Sequence, residues 1–190
     1  ITALIAGFLN ENPDMTLQTI EGDSTFVKEL LTDGKCDIAF LRSESSSVKE
    51  FNSIPYMIDY LTAVLPATHP LAKADNLPFE QLRGETFLLF PEHSFINDLC
   101  IRECRNAGFE PHIAYTGNRG ATLIDLVRNG AGITLMMHHS ARQENDSSLA
   151  FIPVTPGIYS YISLNYAKEK PLSPQAESFV RYVKAHKRDF

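Results

Sequence analysis

The 190-residue sequence lacks any apolar stretch long enough to span a membrane. Its longest apolar runs, around Leu61–Leu65 and Ile133–Met137, fall far below the roughly 18 residues that a membrane-spanning helix needs. Positive charge is also sparse, because 17 Lys and Arg residues are scattered among 23 Asp and Glu residues and leave a formal net charge of −6. Phosphate contacts need a concentrated positive face. We therefore expect neither membrane nor nucleic-acid binding by this piece of the chain.

Cysteine is scarce, and its count of three is odd: Cys36, Cys100 and Cys104. A chain of this length can bury a core without disulfides, so free thiols indicate a reducing compartment, and we expect a cytoplasmic protein. Cys100 and Cys104 are four residues apart on a predicted helix and would share one face, which leaves a redox or metal role open. The alternative is two small buried apolar residues beside Ile96 and Ile101, the usual state of free cysteine.

Catalytic and cofactor-binding motifs are also absent. The glycines within residues 117–132 do not form a G-x-G-x-x-G or Walker pattern, and no G-x-S-x-G occurs. His138 and His139 are adjacent, so they cannot easily face one metal, and no cysteine or carboxylate stands at ligand spacing. We therefore predict no catalytic residue, no metal and no cofactor, and a protein that is not an enzyme.

The spacing of apolar residues predicts alternating helices and strands. Ile1, Leu4, Ile5 and Phe8 lie at helical spacing, whereas Met15–Ile20 alternates as a strand does. A strand, a helix and a buried strand in succession imply parallel strands and an α/β fold. In chain order, the predicted elements are helix 1–11, strand Met15–Ile20, a helix that begins at Asp23 or Ser24 and ends at Gly34, strands Asp37–Leu41, Tyr60–Leu65 and Thr86–Phe90, helix Ser94–Ala107, strand His112–Thr116, helix Arg119–Asn129, strands Gly132–Met136 and Ile158–Asn165, and a final helix capped by Ser173 with Pro174 in its first turn.

Several short segments occur in an order and spacing that extend over nearly the whole chain. They are Phe8–Pro13 (FLNENP), Glu21–Ser24, Gly34–Phe40, Val64–Pro66 with His69–Ala72, Ala107–Pro111, Val127–Ile133, and Leu172–Pro174 with Phe179. With these segments the chain resembles the effector-binding domain of LysR-type transcriptional regulators. One departure is the run Met136–His139, where the family usually has a Leu-Pro pair after the Gly-Ile strand.

The resemblance implies the two-lobed, type II periplasmic-binding-protein-like α/β fold, in which each lobe is a mixed sheet flanked by helices. Lobe one would consist of residues 1–62 and 164–190, and lobe two of residues 66–160. The chain would cross between the lobes near Thr62–Pro66 and Tyr161–Leu164. The resemblance also implies a winged helix-turn-helix domain, a linker helix and the first strand of lobe one before Ile1, so we expect this piece to lack its DNA-binding domain.

The function implied by the resemblance is that of an effector-sensing and dimerising domain of a transcription regulator. A small molecule bound between the lobes would shift the dimer arrangement and so DNA binding by the missing domain. The resemblance implies a homodimer, a full-length tetramer, and contact with DNA only through that missing domain. A transport-linked solute-binding protein of the same fold is the alternative, although three free thiols weigh against secretion. A third class is an enzyme on a related two-lobed fold, for which no motif is present.

Candidate effector-binding residues lie where predicted strands end and helices begin. Helix N-termini and guanidinium groups favour anions, so we expect a small organic anion as the effector. Ser24 and Thr25 open a helix, with simple capping as the alternative, and the position of Ser24 contacts effector in several family members. Arg42 directly follows the predicted strand Asp37–Leu41, with a solvated surface arginine as the alternative. The remaining candidates are His93, Ser94 and Phe95 at the next helix start, with an N-cap and hydrophobic staple as the alternative, and in second rank Thr116, Asn118 and Arg119.

Overall fold

The computed structural model describes residues 1–141 and 146–186, and the chain folds into two units. The first unit contains Ile1–Ile58 and continues from Ser160, and the second unit is Asp59–Tyr159. The chain therefore changes units between residues 58 and 59 and between residues 159 and 160. Both changes come a few residues before the crossings that the resemblance implies.

Six α-helices, two short 3-10 helices (Pro70–Lys73 and Phe79–Leu82) and eight strands occur in the described part of the chain. The helices are α1 (Thr2–Glu11), α2 (Ser24–Thr32), α3 (Phe95–Asn106), α4 (Gly120–Arg128), α5 (His138–Ala141) and α6 (Pro174–Ala185). The strands are β1 (Ala39–Ser43), β2 (Phe51–Pro66), β3 (Leu77–Pro78), β4 (Thr86–Leu89), β5 (His112–Thr116), β6 (Thr134–Met137), β7 (Leu149–Thr155) and β8 (Tyr159–Ala167).

The first unit packs α1 and α6 over a core that is continuous with β8. Phe8 of α1 is 1% exposed, and its ring packs edge-on against Phe179 of α6 with the centroids 4.9 Å apart. Leu4 lies one helical turn earlier on the same buried face, as the sequence spacing predicts. Strand β1 pairs antiparallel with β8, with Phe40 opposite Leu164.

The predicted strand Met15–Ile20 is wrong. Among the described residues no strand pairs with this segment, which has no regular secondary structure. Met15 and Leu17 still pack against the core of α1 and α6, so the alternation in the sequence reflects burial of one face. A strand needs hydrogen-bond partners as well as an apolar face. The parallel strand–helix–strand unit predicted here is therefore also wrong, since β1 pairs antiparallel with β8.

The second unit contains a mixed sheet with the later part of β2 at its centre and a separate two-stranded sheet of β4 and β5. Strand β2 pairs antiparallel with β6, where Leu61 lies opposite Met137, and antiparallel with β7, where Ala63 lies opposite Ile152. The short β3 runs parallel to β7, and β4 runs parallel to β5. Apolar side chains of these strands and of α3 form the largest buried cluster. Leu61, Ala63 and Leu65 of β2 pack into this cluster, and Val64 packs into another, so both faces of the strand are covered and residues 61–65 show no alternation.

Two strand boundaries differ from the prediction in ways that affect the site. Strand β2 begins at Phe51, nine residues before the predicted start. The prediction missed its first part because Asn52, Ser53 and Asp59 interrupt the apolar pattern there. Strand β1 extends to Ser43, so Arg42 lies inside the strand, and the prediction that it follows the strand is wrong.

Candidate functional site

Ser24 links α2 to β1 in the first unit. The cap of α2 is Asp23, whose Oδ1 accepts hydrogen bonds from the backbone N–H of Thr25 at 2.8 Å and of Phe26 at 3.1 Å. The alternative in which Ser24 caps the helix is therefore wrong. The Oγ of Ser24 instead accepts a hydrogen bond from the backbone N–H of Arg42 at 3.1 Å. The Ser24 hydroxyl thus fixes the strand position from which the Arg42 side chain extends.

The Arg42 side chain is half-buried and held in place. Its Nη1 donates a 2.6 Å hydrogen bond to the Oγ of Ser160, which is fully buried. A surface arginine in solvent would have no such fixed partner. The first unit therefore joins Ser24, Arg42 and Ser160 in one hydrogen-bonded chain and presents a positioned guanidinium group, the side chain best suited to a carboxylate or phosphate.

The N-terminus of α2 is less favourable to an anion than the sequence indicates. The Asp23 carboxylate accepts from two of the first N–H groups, so the helix end already has a negative partner. Thr25 is exposed, and its backbone N–H is one of the two that Asp23 takes.

The start of α3 in the second unit is a tightly hydrogen-bonded turn. The Oγ of Ser94 accepts from the backbone N–H of Asn97 at 3.3 Å and donates to the carbonyl of Pro91 at 2.7 Å, which confirms Ser94 as the N-cap. The Asn97 side chain donates through Nδ2 to the carbonyl of Phe90 at 2.8 Å. His93 has φ of 65°, a left-handed conformation that is uncommon outside glycine and that concentrates at functional sites.

The other predicted residues of the second unit are less clearly placed for binding. Phe95 is half-buried against the large core cluster, so its ring contributes to the core. Thr116 ends β5, and Asn118 precedes α4; both are exposed. Arg119 is the N-cap residue of α4 but makes no side-chain capping bond. Among the described residues, no hydrogen bond joins these three residues to the start of α3.

A cluster that the sequence analysis missed surrounds Asp59 of β2. This carboxylate is fully buried, and its Oδ1 accepts from the backbone N–H of Tyr60 at 3.0 Å and of His139 at 3.1 Å, with the Nδ1 of His139 at 3.0 Å. The ring of His138 stacks on Tyr60 with centroids 4.3 Å apart, and its Nδ1 lies 3.4 Å from the Oγ1 of Thr62. Asp59 and His139 are 80 positions apart, so no local motif relates them.

The two histidines point in different directions. Their rings are 6.2 Å apart and nearly perpendicular. Within residues 1–141 and 146–186, no three His, Cys, Asp or Glu side chains are grouped as a metal site. In the same ranges, no helix has the length and apolar character that crossing a membrane requires.

The thiols of α3 are core residues. Cys100 and Cys104 are both fully buried, and Cys36 in the first unit is half-buried. Burial raises the pKa of Cys100 well above its usual value. Burial, together with Glu110 and Glu103, raises the pKa of Cys104 to about 12. A protonated thiol is a poor nucleophile and a poor metal ligand, so the structure favours the apolar alternative for this pair.

Comparison with known proteins places these features in a family context. The family model described as the LysR substrate binding domain matches residues 1–188. The transcriptional dual regulator GltC of Bacillus subtilis is 25% identical to this chain over 184 residues, which cover 96% of this chain and 61% of GltC. The chain therefore spans less than two thirds of that relative.

Two solved structures are similar in fold. The C-terminal domain of a probable LysR family transcriptional regulator from Rhodococcus sp. RHA1 has a TM-score of 0.81 and 23% identity, covering 96% of this chain and 90% of that one. The CcmR regulatory domain of Synechocystis PCC6803, in complex with 2-PG, has a TM-score of 0.88 and 16% identity, covering 99% of this chain and 91% of that one. These similarities confirm the predicted mixed α/β, type II periplasmic-binding-protein-like fold.

Proposed function

The chain belongs to the LysR substrate binding domain family, and on that premise we propose that it is the effector-sensing domain of a longer transcription regulator. The observation that carries this proposal is the family match over residues 1–188. A small-molecule effector with unequal affinity for two arrangements of the regulator shifts their populations. The shift repositions DNA-binding domains that lie outside this chain, and no covalent step is needed.

The same proposal includes the protein's partners and location. This domain forms homodimers, and the full-length regulator is a cytoplasmic tetramer that contacts DNA only through its N-terminal domain. Two-fold contacts are the commonest form of self-association. The domain has no catalytic activity. A solute-binding role in transport is the weaker candidate, because the relative and the two solved structures named above are a regulator and parts of regulators.

We propose that Arg42 binds the effector and that the effector is a small organic anion. The support is the fixed position of the Arg42 guanidinium, which Ser24 and Ser160 hold through its backbone and its side chain. The end of α2 adds little to this preference because Asp23 already occupies it. In the second unit, the His93–Phe95 turn is the stronger candidate contact, since the cap of α3 is the neutral hydroxyl of Ser94 rather than a carboxylate. Asp98 in the first turn of α3 reduces this preference for an anion. Thr25, Thr116 and Asn118 remain weaker candidates.

Calorimetric titration with carboxylates, amino acids and neutral sugars tests the effector class. Replacing Arg42 with alanine is expected to weaken anion binding by about 2 to 4 kcal/mol, the scale of a lost charged hydrogen bond in a desolvated site. Ser24→Ala is expected to weaken anion binding by about 1 kcal/mol, because it removes the one neutral hydrogen bond that Ser24 accepts from the backbone of Arg42. Arg181→Ala removes an exposed arginine of α6 in the same unit and is the matched control. An Arg42→Ala variant that binds like the Arg181→Ala control would refute the anion site.

The regulator itself is tested with the full-length protein. Addition of the effector identified above is expected to change the affinity for operator DNA, whereas the 190-residue chain alone binds no duplex DNA at physiological salt. Binding of duplex DNA by the isolated chain, or an operator affinity that ignores the effector, would contradict the proposed division of roles.

A further inference from the structure

A groove of about 350 Å³ lies within the second unit, at the edge of β2 that pairs with β7. This volume falls in the range of small-molecule sites. None of the residues that line it is among the candidate effector contacts. The residues that line it include Tyr60, Asn76, Thr155, Gly157 and Tyr159.

One wall of the groove is an aromatic ring that the protein leaves in solvent. Tyr159 is 57% exposed, the highest value among the exposed large hydrophobic residues in the described part of the chain. Its ring lies close to Gly157, where an added Cβ would come within 3.0 Å of ring carbon Cε2 and of the hydroxyl. Glycine at this position therefore lets the ring lie close to the backbone and keep its solvent-facing side open.

Tyr60, another residue of the groove, is held by a ring contact. It stacks on His138 with an interplanar angle of 20°. The backbone N–H of Leu61 donates to the carbonyl of Ile158 at 2.8 Å, so the segment that holds Tyr159 is tied to the strand that holds Tyr60. A site built from side chains on elements held in this way requires little ordering when a ligand binds.

The polar groups of the groove are uncharged. The Oγ1 of Thr155 donates to the Oδ1 of Asn76 at 3.1 Å, so the amide of Asn76 still has its NH2 group to offer as a donor. No lysine, arginine, histidine or carboxylate side chain lines this groove among the described residues. A charged ligand would lose its hydration without gaining an opposite charge.

We propose that this groove is a second ligand site, which binds an uncharged ring compound with one apolar face and hydroxyl or amide groups along its edge. The apolar face stacks on Tyr159, and the edge groups bond to Asn76 and Thr155. Neutral sugars and nucleosides share this chemistry. Arg42 does not line this groove, and the groove's uncharged lining favours a ligand of a different class from the anion proposed as effector.

Ligand-observed NMR and calorimetry on the 190-residue chain test the proposal with a neutral hexose and adenosine, each beside its charged counterpart, a hexuronate and adenosine monophosphate. At least one neutral probe is expected to bind, and its counterpart to bind more weakly. Tyr159→Ala is expected to lower the affinity for the neutral probe about tenfold, since stacking on one aromatic ring contributes on that scale. Tyr159→Phe keeps the ring and should retain binding. Whichever neutral probe binds identifies the source as sugar or nucleoside.

A control variant makes the outcome decisive. Tyr115→Ala removes another exposed tyrosine, on β5, and should leave binding unchanged. If Tyr159→Ala does not fold, Gly157→Ala replaces it, because the added Cβ displaces the ring. Absence of binding by both neutral probes, or insensitivity to the Tyr159 or Gly157 change, would overturn the second site.

Discussion

Strand β8 of the first unit buries Ser160, Ser163 and Asn165, and the second unit buries Asn97 and Thr134, all at 9% exposure or less. The three side chains of β8 have hydrogen-bond partners inside the protein. In contrast, the Oδ1 of Asn97 and the Oγ1 of Thr134 have none within the described residues. Asp59, Thr62 and Ser94 of the second unit are buried with partners, so the difference is confined to these two atoms. Since an unpaired buried polar atom costs free energy, the second unit carries a cost that the paired side chains of β8 avoid.

Asn165 shows what pairing contributes. Its Oδ1 accepts from the Ser53 hydroxyl at 2.6 Å, and its Nδ2 donates to the carbonyl of Ser163 at 2.8 Å and to the hydroxyl of Ser163 at 3.0 Å. Asn165 also lies opposite Ala39 in the ladder of β1 and β8. This one amide therefore joins β2 to β8 next to the strand that contains Arg42.

The largest expected difference between the units is in thiol reactivity. At pH 8, Cys36 of the first unit should react with a disulfide reagent at least about 100-fold faster than Cys100 and Cys104, because burial removes both access and thiolate. Mass spectrometry of the native protein over time measures the three rates. Cys36→Ser should leave no fast-reacting thiol, and urea should expose the other two. Rapid labelling of Cys100 or Cys104 in the native protein would restore a redox role for the pair.

Asn165→Ala should give the largest loss of stability. The change leaves the Ser53 and Ser163 hydroxyls with fewer partners and opens a small cavity, so the free energy of unfolding should fall by about 3 kcal/mol. Urea denaturation measures the loss. Asn52→Ala is the matched control, because its amide makes one 3.3 Å bond to the carbonyl of Ala167, and it should cost less than about 1 kcal/mol. Equal losses would show that the paired network adds nothing.

Thr134→Val should stabilise the protein, in contrast to Asn165→Ala. Valine has nearly the shape of threonine, and it removes the unpaired hydroxyl, so the free energy of unfolding should rise by about 1 kcal/mol. Ser163→Ala in the first unit is the counterpart and should lower it, because that hydroxyl accepts from Asn165. Urea denaturation of both variants measures the two signs. A destabilised Thr134→Val variant would mean that the hydroxyl is paired after all, and the contrast between the units would disappear.

The smallest effect concerns acid stability at the surface of the second unit. The hydroxyl and backbone N–H of Ser148, and then Arg128, lower the pKa of Asp146 to about 2. The pKa of an aspartate in the unfolded chain is about 3.9. The charged Asp146 therefore stabilises the folded state fully above pH about 4, and this contribution is lost as the pH falls through about 2. The urea midpoint should therefore fall less between pH 5 and pH 2.5 in Asp146→Asn than in wild type. Ser148→Ala should lie between them, and identical pH profiles would refute the assignment.

Local signals predicted the helix boundaries well. Ser94 and Ser173 were expected as caps and accept from the backbone N–H of the third residue beyond them. Glycines 108 and 130 follow the ends of α3 and α4 with positive φ, which glycine adopts at little cost. These features depend on neighbours within one helical turn, so sequence alone can predict them.

Features that depend on distant partners could not be predicted in this way. Asp23 and Ser24 both offer capping oxygens, and only the position of Arg42 on a neighbouring strand decides that Ser24 bonds elsewhere. Likewise, nothing near His139 indicates that Asp59 binds it. For the candidate site, the sequence therefore predicted residue types and approximate places, whereas the partners that fix Arg42 came from the structure.

The order of strands has a consequence for synthesis on the ribosome. Asn165 lies opposite Ala39, 126 positions earlier, and the whole second unit is made between them. At a synthesis rate of about 5 to 20 residues per second, β8 is made about 6 to 25 s after β1. Throughout that interval the edge of β1 that later pairs with β8 has no partner from β8, and a charged residue on an unpaired strand discourages association with other chains. Arg42, the fourth of the five residues of β1, supplies such a charge until β8 pairs with the strand.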